Sequence, residues 1–288
     1  MTLGNDPTWT PPTAEALADH LRRFRATPPS PWARRLPLLA LLGLTVAALL
    51  TPVPGSWLLP WGGFIALAIY GTRQVAKVRR FERRLDRARE LLSLRYHRPA
   101  LRSAWRLVPE LTQHPALQHR AVAILGQALE ELRAYDAAAA AFDRLLDDLP
   151  DEHPGSVALR LQKALGALFT QRLSDADDAL RRLRGPIEAT GAPPLAAAYR
   201  FARLFQAVQT AHYAEAIDEG DGLIEALRPL GVEAGYGHAL MAWCYRQRNQ
   251  PDTDDREQAR RWWGRATALL PAASLRHRFP DLRGLGRD

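Results

Sequence analysis

Between Leu36 and Thr72 the chain carries no Asp, Glu, Lys or Arg. Two apolar runs, LPLLALLGLTVAALL from Leu36 and WLLPWGGFIALAIYGT from Trp57, lie either side of TPVPGS, Thr51 to Ser56. Neither run alternates between polar and apolar positions as a helix packed on one face would. Beyond residue 90 the pattern changes to amphipathic helical stretches with short breaks. The two regimes predict an all-α protein: a transmembrane helical hairpin followed by a helical domain.

A membrane-crossing helix needs roughly 20 apolar residues, about 17 at the least, to span a core of about 30 Å. Leu36 to Val53 meets that length, and Trp57 to Val75 does so if Arg73 snorkels. One helix carrying the whole run would be about 55 Å long, so the chain is expected to turn at Pro52, Pro54 and Gly55. Arg34 and Arg35 precede the first run, Arg73, Lys77, Arg79 and Arg80 follow the second, and the turn between is uncharged. By the positive-inside rule both ends then lie in the cytoplasm, with Trp32, Trp57 and Trp61 near the interfaces. Pro60, Gly62 and Gly63 weaken the second run, which leaves a re-entrant hairpin as an alternative. A buried helix pair of a soluble protein is the other alternative, although such a pair would have no polar face for water.

The second run is expected to continue as one helix through QVAKVRRFERRLDRARELLSL, with Phe81, Leu85, Ala88 and Leu92 at helical spacing. Arg79, Arg80, Arg83, Arg84 and Arg87 crowd the same turns and suit anionic headgroups, each worth about 1 kcal/mol near the surface. A solvated face paired internally through Glu82 and Asp86 is the plainer reading. In the N-terminal tail, residues 1–31, Ala14 to Arg25 predicts a short helix with Leu17, Leu21 and Phe24 on one side, suited to lying on a membrane or left disordered.

Charge sharpens this picture. Residues 1–90 hold 13 of the 39 Lys and Arg but only 6 of the 31 Asp and Glu, a net +7, which leaves +1 for all the rest. A nearly neutral remainder argues against binding nucleic acid. The mean hydropathy of -0.26 conceals the apolar segment altogether. The single cysteine, Cys244, excludes an intramolecular disulfide and reads as a buried apolar residue.

The helical part repeats itself. In AVAILGQALEELRAYDAAAAAFDRLLDDLP, Leu125, Gly126 and Leu129 lie on a first helix, Ala138, Phe142 and Leu145 on a second, and Pro150 closes the unit. Near the end, Met241, Ala242 and Tyr245 are followed by Ala259, Trp263, Ala266 and Pro271 at matching offsets. Weaker copies place Ala100, Ala104 and Leu107, then Ala176, Leu180 and Leu183, then Ala216, Gly220 and Leu223 on further second helices. This spacing resembles the tetratricopeptide repeat (TPR), in which small residues let paired helices approach and an aromatic fills the gap.

The resemblance covers about two thirds of the chain, some five units from about residue 81 to 271, and gives the expected organisation. A two-helix hairpin at 32–76 is followed by a TPR-like α-solenoid at 77–275 and a tail at 276–288. It implies a groove lined by first helices, with Arg120, Gln127 and Glu130 from the second unit and Gln162 and Phe169 from the third. Phe201 and Phe205 from the fourth and Trp243 and Arg246 from the fifth complete it. Such a groove would take an amphipathic helix or extended peptide. Those phenylalanines could equally pack against neighbouring helices. The lysine and asparagine cluster with which some members of that family grip a peptide carboxylate is missing, since Lys77 and Lys163 are the only lysines.

No sequence motif points to catalysis. There is no phosphate-binding loop, no nucleophile elbow and no histidine pair at metal-ligand spacing. Asp175, Asp177 and Asp178, like Asp252, Asp254 and Asp255, read as acids at helix N-termini. The expected protein is therefore a bacterial inner-membrane scaffold, without cofactor, metal or enzymatic activity, whose partners are a cytoplasmic protein or peptide and membrane lipids. The rival expectation is an accessory subunit of a transport or secretion complex in which the hairpin itself does the work.

Overall fold

A computed structural model describes residues 10–27, 30, 36, 39–40, 42–43, 46, 58–151, 153–220, 222–248 and 254–285. Among them every regular element is helical, so the all-α expectation holds. The chain divides into two compact units, Met1–Leu145 and Leu146–Asp288. The expected turn at Thr51 to Ser56, Trp32 and the arginines 34 and 35 lie outside the described residues, as does most of the first apolar run.

The N-terminal unit contains α1 (Ala14–Arg23), α2 (Leu58–Ser93), α3 (His97–Glu110), α4 (Pro115–Glu131) and α5 (Tyr135–Leu146, which ends at the boundary). Helix α2 is continuous from the apolar run into the arginine-rich stretch, as its sequence predicts. Its C-terminal half packs on α3 and α4 through Phe81, Leu85 and Ala88. Ala100, Ala104 and Leu107 of α3 are fully buried, because small residues every third or fourth position let the helices close together. The same logic operates at Gly126 in α4: a Cβ there would stand 2.4 Å from a ring carbon of Phe142 in α5. The small residue and the aromatic are thus complementary halves of one contact.

The C-terminal unit is built from α6 (Pro154–Phe169), α7 (Leu173–Thr190), α8 (Pro193–Gln209), α9 (Tyr213–Asp218), α10 (Leu223–Leu227), α11 (Ala234–Arg248), α12 (Asp255–Leu269) and α13 (Ala272–Arg278). A 3-10 turn, Arg228–Glu233, precedes α11, and another, Pro280–Gly284, follows α13. Helices α6 and α7, and α11 and α12, pair as hairpins. The bidentate pair between Arg248 and the buried Asp255, at 2.6 and 3.1 Å, joins the facing ends of α11 and α12. The single second helix expected through Ala216, Gly220 and Leu223 is instead two short helices. Gly222 at φ 82° breaks it, a conformation that favours glycine because no Cβ obstructs it.

One local geometry recurs four times. Two positions beyond the ends of helices α2, α4, α6 and α8 lies a residue with left-handed backbone: Arg95 (φ 63°), Arg133 (φ 61°), Gln171 (φ 59°) and Ala211 (φ 60°). In each case the next residue donates its N–H back into the helix: Tyr96 to Leu91, Ala134 to Leu129, Arg172 to Ala167 and His212 to Ala207, all at 2.8–2.9 Å. This is the Schellman termination, which satisfies carbonyls at a helix end and redirects the chain. The four residues are 38, 38 and 40 positions apart, so the hairpins share one turn as well as one length.

Candidate docking face and apolar helix

In the N-terminal unit, the described side chains of α2 ahead of Val78 are largely exposed. Every residue from Ala68 to Lys77 is exposed, and Phe64, Ile65, Ile69, Tyr70 and Val75 show 47–57% of their surface. Leu36, Leu39, Leu42 and Val46 of the first run are exposed too. Isolated apolar residues on a surface are ordinary; here five large ones fall within about three turns of a single helix, Phe64 to Val75. No helix among the described residues is long and apolar enough to cross a membrane. The charge-free part of α2, Leu58 to Thr72, is about 22 Å long, short of a full span by itself.

Of the arginines that follow, Arg79, Arg80, Arg83 and Arg87 are exposed. Arg84 turns inward and forms a bidentate pair with Glu110 of α3, one bond at 2.9 Å. Asp86 pairs across to Arg120 of α4 at 2.8 Å and not with arginines of its own helix. The basic cluster therefore splits into an outward set and an inward clasp.

Helix α1 does not offer its apolar side to lipid. Leu17 and Leu21 are buried at 0% and 3%, and the His20 ring stacks on Trp105 of α3 with centroids 3.8 Å apart. Burial holds the His20 imidazole below its ordinary pKa. The helix begins with Thr13, whose Oγ1 accepts the Ala16 N–H, a standard N-cap. Beyond its end the chain is fixed by Gln118 of α4, which is only 3% exposed. Gln118 Oε1 accepts the Ala26 N–H at 2.9 Å, and its Nε2 donates to the carbonyls of Phe24 at 2.6 Å and Val108 at 3.1 Å. The Thr27 N–H donates to the Thr112 carbonyl at 3.0 Å. Sequence reading missed Gln118; a glutamine among apolar residues near a helix start gives no sign of a partner 92 positions away.

The expected groove residues divide between the units. In the N-terminal unit, Gln127 is exposed, Arg120 is held by Asp86, and Glu130 is 8% exposed. In the C-terminal unit, Gln162 is exposed while Phe201, Phe169, Trp243 and Arg246 are half-buried. Phe205 is 1% exposed and cannot meet a partner directly. It sits 4.7 Å from Phe169, 6.3 Å from Phe201 and 5.2 Å from Phe279, a residue of the expected tail. Helices α6 and α8 thus converge on a shared aromatic cluster, the packing given above as the alternative for these phenylalanines, and the chain itself supplies the fourth ring.

Other polar residues serve packing. Asp177, expected as a helix N-terminal acid, accepts from Gln206 of α8 at 2.7 Å. His238 of α11 is 5% exposed, with neither ring nitrogen hydrogen-bonded; burial, then the Arg265 charge, lower its pKa. Cys244 is fully buried, and burial pushes its thiol up to about 12, where thiolate chemistry is suppressed. No group of three or more His, Cys, Asp or Glu among the described residues could hold a metal ion. No protein-family model, curated protein or solved structure matches the chain.

Proposed function

We propose that this protein is a membrane-anchored scaffold of TPR-like helical hairpins, which docks a protein or peptide partner on the cytoplasmic side of a bacterial inner membrane. One observation carries the anchoring half. The segments flanking the apolar region, Ala14–Thr27 and the second half of α2, both pack on α3 and α4 of one unit. A chain that leaves and re-enters the same body must cross a bilayer an even number of times or not at all. That favours a hairpin over a single span, on grounds independent of arginine placement. The uncovered residues of α2 and the outward Arg79, Arg80, Arg83 and Arg87 suit acyl chains and anionic headgroups in that order along the helix.

The docking half rests on the hairpins. Four equivalent turns at near-constant spacing are what a repeat array needs, and arrays of this kind present one face of first helices to a ligand. The buried, high-pKa Cys244 makes cysteine mapping clean. Cysteines placed singly at Glu15, at the expected turn residue Ser56 and at Gly264 are treated with a membrane-impermeant maleimide. Glu15 and Gly264 should label only after the inner membrane is opened, and Ser56 before it. Labelling of Glu15 and Gly264 on opposite sides, or recovery of the chain without detergent in the soluble fraction, would refute the anchor. Cross-linking with and without Gln162→Arg and Trp243→Arg tests the docking face: a partner captured equally by both chains refutes it.

A further inference from the structure

The first-helix face of the C-terminal unit is already occupied. Phe279 lies 5.8 Å from Phe169 of α6, 5.2 Å from Phe205 of α8 and 5.9 Å from Tyr236 of α11, so a single ring touches three successive first helices. The guanidinium of Arg278 stands over Phe169 at 4.6 Å and over Tyr236 at 6.0 Å. Leu275, Leu282 and Leu285 are buried at 0–3% beside it. A segment that merely closed the last hairpin would need to meet only α11 and α12. This one crosses back to α6, where the sequence pattern places the binding face.

We propose that Ala272–Leu285 is a resident ligand of this face, and that the face accepts amphipathic helix–turn peptides of matching pattern. That pattern is a leucine, a phenylalanine four positions later, then leucines at steps of three, with an arginine just before the phenylalanine. The inference rests on the docking reading above and specifies both the chemistry of the partner and its competitor. The specificity elements are separable. The phenylalanine fills the gap between Phe169, Phe205 and Tyr236, where ring edges and faces alternate favourably. The arginine adds a cation over two aromatic faces. The leucines bury apolar surface along the seam.

An external peptide meets this face only in the fraction of molecules whose own segment has swung away, which lowers its apparent affinity by that fraction. The surface therefore stays shielded until a partner competes for it.

The test uses the full chain in detergent micelles and a fluorescent peptide reproducing Pro271 to Asp288, followed by anisotropy. Phe279→Asp in the chain should free the face, so that the peptide binds at least about 10-fold more tightly than to the unsubstituted chain. The peptide carrying the same substitution should bind neither. A folded Phe279→Asp chain that binds the peptide no better than the parent overturns the proposal. Hydrogen exchange on the unsubstituted chain provides the second arm and does not depend on how the variant folds. Amides of residues 272–285 should exchange at least about 10-fold faster than those in the middle of α8 and α11. Equal protection would make the segment a permanent part of the core and overturn the proposal as well. Either failure leaves the cysteine map and the cross-linking result standing, so the two readings fall separately.

Discussion

Ala211 holds a backbone conformation that its side chain resists. At φ 60° an L-residue brings its Cβ against the carbonyl oxygen, at a cost of roughly 1–2 kcal/mol. Glycine avoids that cost but loses more chain entropy on folding, about 0.5–1 kcal/mol. Ala211 is exposed, so Ala211→Gly forfeits no buried methyl. The net expectation is a gain of about 0.5–1 kcal/mol. With a urea slope of about 1–3 kcal/mol per molar, the unfolding midpoint should rise by roughly 0.2–1 M. Gln171→Gly, in the same unit and at an equivalent exposed turn, should behave alike. Gly191→Ala supplies the opposite sign, since Gly191 has φ 58° and open space where a Cβ would go. Far-UV circular dichroism of the full chain in detergent, titrated with urea, reads all three. If Ala211→Gly is neutral or destabilising at unchanged slope, or moves in the same direction as Gly191→Ala, the shared-turn argument is wrong.

Gly126→Ala should destabilise the N-terminal unit by about 1–2 kcal/mol, because overpacking against Phe142 outweighs the roughly 1 kcal/mol gain in helix propensity; adding Phe142→Leu should recover part of the loss in urea titrations. Gln118→Leu should release Ala14–Thr27, and the loss of about 1–3 kcal/mol predicts tryptic cleavage after Arg22, Arg23 or Arg25 at least about 5-fold faster. For His238 the depressed folded-state pKa means the unfolded chain takes up the proton first. Its contribution is present in full above pH 6.5 and is lost as pH falls from there toward the folded-state value. His238→Leu should therefore flatten the decline in thermal midpoint between pH 7 and 5, followed through the fluorescence of the adjacent Trp262.

The helices were legible because their apolar spacing is local. Ala100, Ala104 and Leu107, and likewise Ala176, Leu180 and Leu183, are all at or below 3% exposure. The pairing of Gly126 with Phe142 could be read in advance since both belong to one hairpin. Four features were not legible. The Schellman turns use arginine, glutamine and alanine where glycine would have announced them. Phe279 looked like a residue of a charged tail, and only the convergence of three helices gives it a place. The aromatic buried in the last hairpin is Trp262, with Trp263 half-buried, a one-residue register ambiguity that adjacent tryptophans cannot resolve. Phe205 was expected to face a partner, but a first helix packed on neighbours at both sides has more inward positions than the pattern allots.

The clasp of Gln118 on Phe24 and Ala26 also sets an order in time. During synthesis the backbone at residue 26 must wait for a partner 92 residues downstream, while the apolar stretch between them emerges first. The upstream flank stays undocked until then, and the glutamine fastens it afterwards. Docking of residues 24–27 thus belongs to a late step, after the whole of α3 and the start of α4 have been made.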